Sequence, residues 1–268
     1  MRFFCIFICL ISFNVFADQS DFLSLCKTHF KDDSARIQTC EKINDLLFKG
    51  LGPKDSSAIT SPEKVNAPLM NIDKKILFMA LNDPNYLPSL VYCYSVYNHW
   101  IDPLQISPDT LGTISSGVSI LNENLPAYQK WLNKSIEGKS CRKQVEKDSQ
   151  LPVTNLEDSL RGYVAMIVLN PFAVIGSTGT SYESALEELR LTINHERIHA
   201  YHVLCPQFEK NEKDKWIKLS QTEKNVFINK YPNYNWKDSQ TSVREFSAFS
   251  LENAPDSLIS LVKACKIK

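Results

Sequence analysis

Apolar residues recur at three- and four-residue steps, with one step of five, through Ala185, Leu189, Ile193, Ile198, Tyr201 and Leu204, the spacing of one face of an amphipathic helix. Ser184 followed by Glu187 is a capping-box start, Ser181 offers an earlier one, and Pro206 stops the helix just beyond Cys205. Residues 163–169 are continuously apolar and closed by Asn170-Pro171, which predicts a strand. A second strand is expected over 172–177, leading through Gly176 and Gly179 into the long helix. Residues 21–49 read as two short helices, with Phe22, Leu25, Cys26 and Phe30 on the first and Ile37, Cys40, Ile43 and Leu47 on the second. A further helix is expected over 121–134. The apolar runs 76–81 and 90–97 suit core helix or strand equally, because periodicity does not separate the two in so short a stretch.

These elements imply an α+β chain, predominantly helical with a small sheet beside the long helix. Gly50, Gly52 and Pro53 end the N-terminal hairpin, assigned to 18–53, and the polar stretch 54–68 reads as a linker to a main domain over 69–268. The hairpin is expected to be a small subdomain and not a removable pro-segment, since nothing marks a processing site.

Composition adds the compartment. Met1-Arg2 precedes an apolar run over 3–16, and Val15-Phe16-Ala17 supplies a cleavage context, so 1–17 reads as a signal peptide. The run is shorter than the roughly twenty residues that span a bilayer, and no membrane anchor is expected once it is removed. Six cysteines then remain: Cys26, Cys40, Cys93, Cys141, Cys205 and Cys265. An even number in an exported chain argues for disulfides, and proximity favours Cys26–Cys40, Cys93–Cys141 and Cys205–Cys265. A secreted or periplasmic monomer is expected. Thirty basic residues balance thirty acidic ones, and no basic stripe interleaves with aromatics, so nucleic-acid binding has no support.

The chemistry lies in His195-Glu196-Arg197-Ile198-His199. Residues i and i+4 share a helical face, so both imidazoles can reach one ion, and the pattern is that of zinc hydrolases. Glu196 beside them can take a proton from a water on the ion and later return it to a leaving amine. A catalytic zinc usually has three protein ligands, so one must come from elsewhere. Metzincin spacing would need glycine at 202 and histidine at 205, where this chain has His202 and Cys205. Three histidines along one straight helix cannot surround an ion, so His202 is a pocket-wall or partly buried residue rather than a ligand.

The motif, together with Arg244-Glu245-Phe246-Ser247-Ala248-Phe249, resembles the gluzincin class of zincin metallopeptidases over roughly residues 160–255. The resemblance implies a zincin-like catalytic domain binding one zinc per chain through His195, His199 and Glu245. It also implies peptide or protein substrates, with Glu196 as general base. The small Ala248 would let the glutamate helix pack close to the motif helix. The interval from His199 to Glu245 is longer than in thermolysin-like members, whose spacing would fall near Leu219. Glu223 and Glu252 stay open as third ligands, and Glu252 could instead accept from a histidine N–H. Ser242 and Glu245 also fit a capping box, which would leave the glutamate no metal to hold. Related enzymes place oxyanion-stabilising groups before the glutamate helix, making Tyr231, Tyr234 and His202 candidates for contact with substrate or transition state. The 172–177 segment could offer edge-strand backbone to an extended substrate. A zinc hydrolase of non-peptide substrates and a non-enzymatic secreted binding protein are the alternatives.

Overall fold

The computed structural model describes residues 19–48, 57–60, 62–65, 67, 71–81, 83–232, 234–254, 257–260 and 265; the expected signal segment lies outside them. Two helices, α1 (Gln19–Phe30) and α2 (Ser34–Phe48), lead to strands β1 (Ser57–Ile59) and β2 (Ile76–Leu81). Helices α3 (Cys93–Tyr97) and α4 (Pro108–Ile114) precede β3 (Gly117–Leu121). Then come α5 (Leu125–Lys134), α6 (Ile136–Ser149), α7 (Leu156–Ser159) and β4 (Ala165–Leu169). The chain continues through α8 (Pro171–Thr178), α9 (Tyr182–Leu204), α10 (Pro206–Lys218), α11 (Gln221–Lys230) and α12 (Ser239–Leu251). The result is a predominantly helical α+β architecture with a small sheet.

The sheet order is β1-β2-β4-β3, with β2 and β4 parallel and both outer pairs antiparallel. Every residue of β4 is buried because both faces of the sheet are covered, which is why its sequence is continuously apolar instead of alternating. Ala165, Ile167 and Leu169 enter one core with residues of α1, α2, α8 and α9, while Met166 and Val168 enter a second core with residues of α3 to α7. The apolar run at 76–81 is β2, and the one at 90–97 is helical.

Three expectations change. Residues 172–177 lie in helix α8, not a strand: Asn170 accepts from the amide of Ala173, and Pro171 occupies the first turn, where a missing N–H costs nothing. The helix expected from 121 starts at Leu125, because Leu121 still pairs with Ala165 as the last residue of β3. The stretch read as a linker contributes β1, whose main chain pairs with β2 from Ser57↔Leu81 to Ile59↔Met79 whatever the polarity of its side chains. The hairpin itself shares the α9 core, with Cys26, Ile43 and Leu47 in the same cluster as Ile193 and Ile198.

Helix α9 starts at Ser181, whose hydroxyl accepts from the Ser184 amide, and not at Ser184; it ends at Leu204, before Pro206 begins α10. Its middle is anchored by a buried pair. Arg197, 0 % exposed, lies 3.5 Å from Asp73 Oδ2, and the Tyr201 hydroxyl donates to Asp73 Oδ1 at 2.7 Å. Removing one partner of such a pair costs about 3–5 kcal/mol, since it strands a buried charge. The motif helix is therefore held in place by a residue of the motif itself.

The three disulfides are Cys26–Cys40, Cys93–Cys141 and Cys205–Cys265. The last fixes the end of α9 to a point beyond α12, closing a loop with a sequence separation of 60 that contains Glu245. In the chain-entropy model such a loop contributes about 4 kcal/mol. A Cys205→Ser, Cys265→Ser double variant should lose stability of that order in urea unfolding, and peptide mapping without reductant should recover this pair; an unchanged midpoint would remove the brace. No helix among the described residues is long and apolar enough to cross a membrane.

Candidate metal centre

His195 and His199 lie on the face of α9 that meets α12, with ring centroids 5.0 Å apart. Opposite them, Glu245 projects from the middle of α12. That helix is capped by Asp238, whose carboxylate accepts from the Thr241 amide, so Glu245 is no capping residue. The His195 Nε2–Glu245 Oε2 distance is 3.3 Å and the His199 Nε2–Glu245 Oε1 distance 3.6 Å. Donor atoms of all three residues fall within 4.8 Å of one another, and the group could hold a metal ion. Ligands at about 2.0–2.1 Å in a tetrahedron stand roughly 3.3 Å apart, close to both measured separations. Glu245 Oε2 is buried beside His195 Nε2, and outside that pair it has no hydrogen-bond partner among the described residues. The residues present fit a divalent metal.

The second layer of contacts orients these donors. His195 Nδ1 lies 2.8 Å from Glu252 Oε2, which aims Nε2 at Glu245, where a metal ion would take the place of the Nε2 proton. Asn194 Nδ2 donates to the Glu252 carbonyl at 2.8 Å, so consecutive residues of α9 grip the end of α12. Ala248 is fully buried in the core shared by the two helices. Glu223 is excluded as a ligand by its place: it completes a real capping box with Ser220 at the start of α11.

Electrostatics favour a cation here. Burial works against protonating His195, but hydrogen bonds to Glu245 and Glu252, with the charges of Glu245 and Glu196, outweigh it and push the imidazole up to about 10. Burial, then the positive charges of His195 and Arg244, hold His199 well below its ordinary value, so it is neutral and able to ligate. Burial, opposed by His195 and reinforced by Glu245, pushes the Glu196 carboxyl up to about 7, while hydrogen bonds with the side chain and main chain of Ser119 hold it down. A carboxyl near neutrality is suited to accept and return a proton.

Ser119 belongs to β3, the outermost strand on this side, and β3 approaches α9 closely. A Cβ on Gly117 would stand 2.4 Å from Thr192 Cγ2 and 3.3 Å from Glu196 Cγ. Thr192 is β-branched and stiff, so any side chain at 117 would force strand and helix apart. Ser119 and Gly117 had no signal in the sequence.

The three oxyanion candidates separate. His202 is 1 % exposed, and its Nε2 lies 2.6 Å from Ser247 Oγ, which itself donates to the Arg244 carbonyl. It ties α9 to α12; burial, then the charge of Arg244, takes its imidazole down to about 3, so it is neutral. Tyr231 stacks flat on Phe249 with centroids 3.5 Å apart, and Phe249 meets the His195 ring at 4.6 Å, building an aromatic wall. Tyr234 packs edge-on against the same Phe249 and is 37 % exposed. The exposure belongs to the rest of the residue, for its hydroxyl end is buried, and burial first, then Glu245, Glu196 and Glu252, push the phenol well above its usual value, so it keeps its proton.

Compared with known protein families, with curated proteins and with solved structures, the chain matches none.

Proposed function

We propose that this chain is an exported, zincin-like metallopeptidase that binds one zinc ion through His195, His199 and Glu245. The observation that carries the reading is the convergence of those three donors with the Glu196 carboxyl, on two helices packed beside an outer strand. Two imidazoles and one carboxylate are a donor set of catalytic zinc, whereas closed structural sites favour cysteines, and here all six cysteines outside residues 1–17 are in disulfides. Zinc in such a set supplies Lewis-acid polarisation of a carbonyl and acidifies water. Glu196 takes the water proton onto its carboxylate and returns it to the leaving amine, with Ser119 holding that carboxylate in position. Tyr234, kept protonated, donates from its hydroxyl to the oxygen on which negative charge develops.

The outward main-chain groups of β3 are engaged within the chain: the Leu121 N–H donates to the Tyr94 hydroxyl, the Gly117 carbonyl accepts from Ser115 Oγ, and the Ser119 main chain bonds Glu196. The 172–177 segment, expected to offer edge-strand backbone, is helix α8. The signal-like N-terminus and the disulfides support export to an oxidising compartment. The test is a digest of a mixed peptide pool by the zinc-loaded protein, read by mass spectrometry with and without chelator. New termini that vanish on chelation and return with zinc are expected; an unchanged pool, or cleavage indifferent to chelation, would reject the reading.

A further inference from the structure

Arg244, the residue before the third donor, is a guanidinium with little to hold. Its side chain is 12 % exposed, yet among the described residues its side chain makes one hydrogen bond, a long one from Nη2 to Glu123 Oε1 at 3.4 Å. Nε is buried with no hydrogen-bond partner among the described residues. A guanidinium carries five N–H donors, and keeping it out of water so poorly matched is costly. A structural clamp would not explain it. Glu123 is 45 % exposed, and a single long contact to a solvated carboxylate is worth little.

The position of Arg244 is informative. Glu123 lies in the turn Asn122–Asn124 that directly follows β3, so Arg244 reaches from α12 to the end of the strand whose Ser119 holds Glu196. Ser119 and Glu123 are four residues apart, a span of at most about 13 Å even if fully extended, which puts the guanidinium within about four residues of a bond lying over Glu196. Its charge is felt at His202, at Tyr94 and at the Asp238 carboxylate that caps α12.

We propose that Arg244 is a substrate-binding residue that recognises a carboxylate, directing the chain to peptides with an acidic side chain or a free C-terminus close to the cleaved bond. This rests on the hydrolase reading above. The incoming carboxylate takes the place of Glu123 and can accept two parallel N–H bonds, a stronger arrangement than the contact it displaces.

The experiment uses the zinc-loaded Glu196→Gln protein, which does not consume its ligand, and labelled peptides in matched pairs. One arm scans aspartate against asparagine and glutamate against glutamine through each position; the other compares a free C-terminus with its amide. For one position or for the terminus, the acid should bind roughly tenfold to a hundredfold more tightly than its neutral twin. Arg244→Gln should bring that ratio to about one, and Glu123→Gln, which removes the internal competitor, should widen it. Equal binding of every pair, binding of neither member of any pair, or a ratio unmoved by Arg244→Gln would overturn the proposal. Should Arg244→Gln fail to fold, Glu123→Gln decides, because an unchanged or narrowed ratio there is equally fatal. Acid-selective binding that depends on Arg244, with no turnover by the parent protein, would overturn hydrolysis and keep this residue assignment; turnover without acid preference would do the reverse.

Discussion

Glu196→Gln is expected to keep full zinc content and to lower peptide cleavage by about a hundredfold to ten-thousandfold, the range that general acid–base groups contribute. Glutamine preserves the shape of the side chain and leaves an oxygen for the Ser119 hydrogen bonds, but it cannot take a proton from water. It also removes a buried carboxyl crowded by Glu245, so the fold should not suffer. Metal content by atomic emission and initial rates on one defined peptide make the comparison. Turnover within tenfold of the parent would leave Glu196 without its proposed role.

Removing a donor should be the other large effect. His199→Ala and Glu245→Ala each delete one of three ligands and should weaken zinc by several orders of magnitude in competition with a chromophoric chelator. Glu223→Ala should bind as the parent does, because that glutamate only caps α11. Glu252→Ala should fall between, roughly tenfold to a hundredfold weaker, since it orients His195 through Nδ1 without reaching the ion. Glu245→Asp retains charge but shortens reach, and a folded variant with weakened zinc binding would separate coordination from any helical role. Tight binding by Glu245→Ala would move the third ligand elsewhere on the chain.

Two sequence signals were present and gave different outcomes. Asn170-Pro171 fits the end of one strand before another, yet an asparagine followed by proline is equally a helix start, and the run after it is apolar all round because that part of α8 is buried. Ser242 with Glu245 and Ser220 with Glu223 are the same box on paper; only the second forms, because Asp238 has already begun α12 a turn earlier.

By itself the sequence determined what local spacing governs. The 3.6-residue period made α9 a helix and set His195 and His199 on one face of it, while continuous apolarity made β4 a strand, and the order of the cysteines along the chain agreed with all three disulfides. Glu245 was reached only through resemblance, and its choice over Glu223 needed the packing of α12 across α9. Ser119, Gly117 and Arg244 were decided by tertiary structure alone. Each acts on residues far away in sequence, and contacts closed across such distances depend on how helices and sheet fill two shared cores, which no nearby residue pattern encodes.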